Sequence, residues 1–228
     1  SPRGAACVRD GDGWRIVRKQ WPEDMDDWTH MLHGPDNNAV SSDRRVGRPR
    51  HIQWRGDPLW GRSHDHLATT SAVVSSGGRI FYISDFGPSA SVAMPADWRL
   101  VARDAFSGIR LWERSISNWV NRLRPFRAGP PHLGRRLVAK GNRVYVTFGL
   151  GKPVAAVHAG TGEIVQKYEK TEGAEEIILA DGTLFVVVGN PEAELAARTA
   201  RRRGGDAERI GKSILALDAS TGEVLWKT

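Results

Sequence analysis

The chain has 228 residues, 40% of them hydrophobic, with 33 Lys and Arg against 26 Asp and Glu for a formal net charge of +7. That hydrophobic share supports a buried core, and the single cysteine, Cys7, excludes disulfide frameworks, paired-cysteine redox motifs and Cys-rich zinc sites. The longest clearly apolar run, Leu184 to Val188, is far shorter than the roughly 20 residues a membrane-spanning helix needs.

Residues 1–67 read as an irregular lead-in segment. They hold five of the nine Trp (14, 21, 28, 54, 60) and five of the seven His (30, 33, 51, 64, 66), and their strand periodicity is poor. No charged-then-apolar segment opens the chain, and Ser1 rather than Met stands first, so the compartment stays open. Ile52-Gln53-Trp54 is expected to be the last strand of a preceding unit.

From residue 68 onward the chain repeats, with units at about 68–112, 113–168 and 169–228. Each unit holds a Gly/Asn/Asp turn between apolar runs: Gly77-Gly78, Gly141-Asn142 and Asp181-Gly182. Such turns between β-branched and aromatic residues predict hairpins. Each unit then carries an 11-residue element, Ala102 to Trp112, Ala156 to Gln166 and Ala216 to Trp226. One unit therefore reads strand, turn, strand, link, strand, turn, strand. Four short antiparallel strands per repeat predict an all-β fold, a partial β-propeller of four-stranded blades. Two links are long: 85–98 holds Pro88, Pro95 and Trp98, and 190–212 is expected to carry a short helix over Pro191 to Arg203. Links of this kind commonly carry binding function.

The 11-residue element has a mechanical logic. Asp104 and Asp218 can accept hydrogen bonds from the next backbone N–H groups. Gly108, Gly162 and Gly222 can take positive φ where the chain reverses. The small Ala102, Ala156 and Ala216 leave room for a neighbour. Trp112 and Trp226, at strand ends, can lie over an adjoining blade and bury on the order of 200 Å² each. The middle copy has His158 for Asp and Gln166 for Trp, so its contact is expected to be weaker.

The Ala-x-Asp-x-x-Thr-Gly-x-x-x-Trp element resembles the tryptophan-docking motif of pyrroloquinoline-quinone (PQQ)-type β-propeller repeats. That superfamily includes quinoprotein alcohol dehydrogenases and the propeller lipoprotein of outer-membrane β-barrel assembly. Residues 216–226 match in full, and 102–112 match with Ser107 for Thr. Asp24 to His30, Asn37 to Asp43 and Arg79 to Ile83 are also similar to a planctomycete-type group of large PQQ-repeat propeller proteins, some fused to a methyltransferase-like domain; no Gly-rich strand-to-helix loop for such a domain stands in this chain. The resemblance implies an often exported protein, hence a periplasmic or extracytoplasmic address. For the dehydrogenases it implies PQQ held between a tryptophan floor and a vicinal Cys-Cys ring, with calcium and an Asp base nearby. One cysteine rules out that ring, so neither PQQ nor calcium is expected.

Other chemistry is sparse. His30-x-x-His33, followed by Asp36, and His64-Asp65-His66 hold metal-ligating residue types. Neither has a recognised ligand spacing, so surface or packing roles are expected for His30, His33, His64 and His66, with no catalytic, cofactor or metal residue. No Gly-x-Ser-x-Gly elbow supports a Ser-His-Asp triad. Arg198 and Arg201 to Arg203 lie in a polar stretch without the interleaved aromatics that single strands favour, so nucleic acid is an unexpected partner. The units number three while propellers have typically four to eight. The expectation is a fragment of a larger protein; assembly from two chains, or closure by residues 1–54 folding back, are the alternatives. The functional reading is a non-catalytic scaffold or binding domain whose partner is a protein or further blades. Its alternatives are the propeller portion of a quinoprotein-like enzyme and a polyanion-binding module.

Overall fold

Every turn glycine sits between two strands in the computed structural model, which describes residues 4–62, 69–91, 93–119, 133–204 and 210–228. Among these, three four-stranded antiparallel sheets follow one another along the chain, each with strands paired in chain order. The first joins β3 (Thr70–Ser76), β4 (Arg79–Asp85), β5 (Trp98–Asp104) and β6 (Arg110–Ser115). The second joins β7 (Leu137–Lys140), β8 (Arg143–Thr147), β9 (Val154–His158) and β10 (Ile164–Tyr168). The third joins β11 (Ala174–Ala180), β12 (Thr183–Val188), β13 (Ser213–Asp218) and β14 (Val224–Lys227). This is the blade succession of a partial β-propeller.

Period-2 alternation explains why the blades stack. In the second blade Leu137, Ala139, Val144 and Val146 face the first blade, in one core with Val74, Phe81, Leu100 and Trp112. The alternate residues Val138, Tyr145, Val154 and Ala156 face the third blade, in a second core with Ile177, Leu184 and Leu215. A strand apolar on both faces is stable only between two neighbours.

The innermost strands β3, β7 and β11 converge on one another and on a 3-10 turn, Leu133–Arg136. Between β12 and β13 lies α1 (Pro191–Arg202), which begins as its sequence dictates: Asn190 caps it by accepting from the Ala193 N–H at 3.0 Å, and Pro fills its first turn.

The lead-in departs from the sequence expectation. Residues 50–54 form no strand; instead β1 (Ala5–Asp10) and β2 (Gly13–Arg18) pair as a separate hairpin. Gly11, at φ 63°, makes the turn within Asp10-Gly11-Asp12, a hairpin signal that poor flanking periodicity obscured. Trp54 needs no ladder, because its contact is made by the ring alone.

Candidate functional site

The three 11-residue elements fold to the same turn. The N–H groups of Gly108, Gly162 and Gly222 donate to the carbonyls of Asp104, His158 and Asp218 at 2.8–2.9 Å. All three glycines have φ between 73° and 78°. Asp218 Oδ1 accepts from the Ser220 hydroxyl and from the Thr221 and Ser220 N–H groups, which hold its pKa down to about 2. Asp104 does the same with Phe106 and Ser107, and its carboxyl is lowered although burial opposes it. The N–H groups of Ala105, Ala159 and Ala219 tie each turn to the hairpin of its own blade at Gly78, Asn142 and Gly182.

Each turn is a socket for an aromatic of the preceding segment. The Trp112 indole N–H donates to the Ala159 carbonyl at 3.0 Å, and its ring lies where a Cβ on Gly162 would come within 2.7 Å. Within the first blade Ala102 stands opposite both Phe81 and Trp112, so these rings meet across it at 6.0 Å. In the second blade Ala156 faces Tyr145 and Gln166. There Gln166 fills the space over Gly222, while the Tyr168 hydroxyl donates to Ala219 O at 2.6 Å. Burial raises the Tyr168 phenol above its ordinary pKa, so it stays a donor. Trp112 and Tyr168 thus serve equivalent junctions, a substitution that the Gln166 position alone did not reveal. The third blade repeats the row as Phe185, Ala216 and Trp226, with rings 6.1 Å apart. Among the described residues no further blade packs on its outer side. Trp226 remains 46% exposed, against 9% for Trp112.

The segment around His30 crosses the ends of the inner strands. Trp28 O accepts from the Ser75 N–H of β3 at 2.7 Å, and Thr29 O accepts from the Ala139 N–H of β7 at 2.9 Å. His30 Nε2 accepts from the Leu179 N–H of β11 at 3.1 Å. Three consecutive residues therefore tie three blades. His30 Nδ1 lies 2.7 Å from Thr29 Oγ1, whose own hydroxyl donates to His33 O. That assigns the proton to Nδ1 and leaves no lone pair for a metal. Burial, then the Lys140 charge, pushes the His30 pKa down to about 4. His33 Nε2 pairs with Asp26 Oδ2 at 2.7 Å. Burial opposes ionisation of Asp26, yet the Ser42 N–H, His33 and the Ser41 hydroxyl hold it at about 2. Asp27 accepts from the Gly77 N–H at 2.9 Å. Most of these ties use backbone atoms, so residue identity gave no signal of them. Asp36 is exposed beside this turn, while His64 and His66 lie outside the described residues.

The opposite ends of the inner strands are charged. Trp119 is fully buried, donates to Ser71 Oγ at 2.8 Å and carries the Arg136 guanidinium 3.8 Å from its ring centre. Glu175 is buried and paired with Lys212 Nζ at 2.5 Å, and Arg135 pairs with Glu176 at 2.8 Å. This donor set does not fit calcium: Glu175 Oε2 already holds the Lys212 ammonium, and the Arg136 charge acts on the same carboxylate. Among the described residues no group of three or more His, Cys, Asp or Glu could hold a metal ion. Nor does Trp119 offer an open floor to a quinone, since Arg136 lies on its ring. Cys7 is exposed on β1.

The expected helix over Pro191 to Arg203 forms as α1, and Arg201 to Arg203 stand at its C-terminal end, where basic residues suit the negative end of the helix dipole. Arg201 and Arg203 are exposed. No helix among the described residues is long and apolar enough to cross a membrane.

Three comparisons bear on kinship. No curated protein sequence matches the chain. Among solved structures, a europium-containing methanol dehydrogenase superimposes with a TM-score of 0.52 at 12% identity, over 89% of this chain and 32% of that one. A quinohemoprotein alcohol dehydrogenase from Comamonas testosteroni gives 0.45 at 17% identity, over 89% and 27%. BamB from Moraxella catarrhalis gives 0.28 at 11% identity, over 69% and 61%. The chain thus spans about a third of the methanol dehydrogenase, and that likeness shows the fold alone. A family model of the PQQ-repeat type, described as outer membrane protein assembly factor BamB, matches residues 96–228. With more than half its length matched and its blades joined by the docked turns above, the chain belongs to the PQQ-type β-propeller repeat family.

Proposed function

We propose that this chain is a non-catalytic propeller scaffold or binding domain, and a portion of a larger propeller. One observation carries the reading: Trp226, in the Phe185, Ala216, Trp226 row of the third blade, stays 46% exposed, although the row has the geometry the first blade uses to hold its neighbour. An apolar sheet face with Val187 half-buried and Ile214 39% exposed favours a further blade against it. The connections 86–97 and 189–212 each follow the second strand of a blade, so they leave the sheets at the same end and offer a composite surface for a protein partner.

The enzyme alternative draws only on shared fold, which does not specify chemistry. Addition of PQQ and calcium tests it: neither a near-ultraviolet and visible spectrum of bound quinone nor dye reduction with an alcohol is expected, and both together would overturn the non-catalytic reading. Polyanion binding predicts a DNA complex that weakens steeply with salt, and none is expected.

A further inference from the structure

The lead-in contains a fourth docking side chain. The Trp54 indole N–H donates to the Ala105 carbonyl at 2.9 Å, as Trp112 does to Ala159 at 3.0 Å. A Cβ on Gly108 would come within 2.5 Å of the Trp54 ring, as one on Gly162 would come within 2.7 Å of Trp112. Trp54 arrives on no strand, so only its ring reproduces the junction. Neighbouring residues fasten it. Gln53 Nε2 donates to Phe106 O at 2.6 Å, and Tyr82 OH donates to Asp57 O at 2.7 Å. Arg103, buried in the first blade, donates to Tyr82 OH, Gly108 O and Asp57 Oδ2.

Among the described residues there are therefore three filled sockets, at Gly108, Gly162 and Gly222, and four docking aromatics, Trp54, Trp112, Tyr168 and Trp226. Trp226 is the unmatched one, with no hydrogen bond to its indole among the described residues. Its blade and the first blade carry complementary halves of one junction, which is the condition for head-to-tail association between copies.

We propose that Trp54 is an intramolecular cap that keeps the Trp226 face of a second copy out of the Gly108 socket. The cap wins because it is tethered: its effective concentration at the socket is on the order of millimolar, above that of any free copy. The inference rests on the open-face reading of Trp226 above, and its experiment separates the two.

Sedimentation equilibrium of the 228-residue chain and its variants is the test. The wild-type chain is expected to show weak self-association or none. Trp54→Ala should raise the weight-average mass about twofold or more across the micromolar range, as a standard-sized interface would. Adding Trp226→Ala to it should return the mass to that of one chain. Mixing wild type with the Trp54→Ala/Trp226→Ala protein should give a one-to-one complex that does not extend, since one partner lends only the plug and the other only the socket. If near-ultraviolet circular dichroism shows that Trp54→Ala loses its fold, Trp54→Leu, which retains apolar contact but loses the donor, decides the matter by the same measurements. A folded Trp54 variant that stays monomeric, or association that survives loss of Trp226, would overturn the cap. A Trp226 that proves as stabilising as Trp112 in the single chain would instead overturn the open face itself.

Discussion

The junction between the first two blades and the outer side of the third present the same residues in different surroundings. Phe81, Ala102 and Trp112 cross the first blade in one row; Phe185, Ala216 and Trp226 cross the third in the corresponding row. Trp112 of the first row is buried against Gly162, whereas Trp226 of the second is half exposed. The blade prepares the indole by placing it beside a fully buried alanine, but only the neighbour's glycine turn removes it from water. Docking strength is therefore a property of the pair of blades.

The sharpest break of this comparison is a matched truncation. Trp112→Ala should cost about 3–5 kcal/mol, the loss for a large buried aromatic, while Trp226→Ala should cost less than about 1 kcal/mol, as exposed positions do. Urea unfolding of both variants measures this, and equal losses would show the two indoles to be equally docked.

The lead-in supplies the next effect. Folding holds the His30 pKa at about 4, below the ordinary 6.5, because burial and then the Lys140 charge disfavour the protonated ring. The neutral ring's contribution is complete above pH 6.5 and is lost as pH falls toward 4, where the unfolded chain takes the proton first. The loss approaches the order of 3 kcal/mol. Lys140, Asp36 and His33 are the charged and titratable groups whose fields act on the ring. His30→Gln, which can accept but does not titrate, should flatten the stability profile between pH 6.5 and 4. An unchanged slope in that variant would remove His30 as the cause.

Two glycines refine the picture. Gly162→Ala should cost about 2 kcal/mol or more, since it adds strain at φ 75° to a Cβ within 2.7 Å of Trp112. Gly141→Ala, at φ 60° with nothing within 4 Å, should cost only the strain, about 1 kcal/mol. Thermal melts of the two variants should differ, and a Gly141 variant as damaged as the Gly162 one would deny the socket its steric role. The smallest effect belongs to Tyr168→Phe. It removes the bond to Ala219 O, but Arg143 Nη1 still donates to that carbonyl at 2.8 Å. The loss should be about 1 kcal/mol by thermal melting.

Much of this was legible residue by residue. The hairpin turns, the 11-residue elements and the helix after Pro191 all announce themselves through local rules, because a turn glycine or a cap acts within a few positions of itself. The roles of Trp54, Tyr168 and His30 were not legible. Trp54 lacks a strand, Tyr168 stands two residues beyond the expected Trp position, and His30 bonds to Leu179, which lies 149 positions away. Residue type alone makes His30 and His33 metal-ligand candidates, which their spacing sets aside for surface or packing roles; the geometry commits both His30 nitrogens to Thr29 and Leu179 and His33 Nε2 to Asp26.

By itself the sequence determined the repeating four-stranded unit and the turn chemistry that spaces it, because alternation and positive-φ glycines are short-range constraints. Tertiary structure decided which aromatic enters which socket, which blade face stays open and which segment ties the inner strands together. Those outcomes depend on surfaces and backbone groups that come together only after the blades have formed.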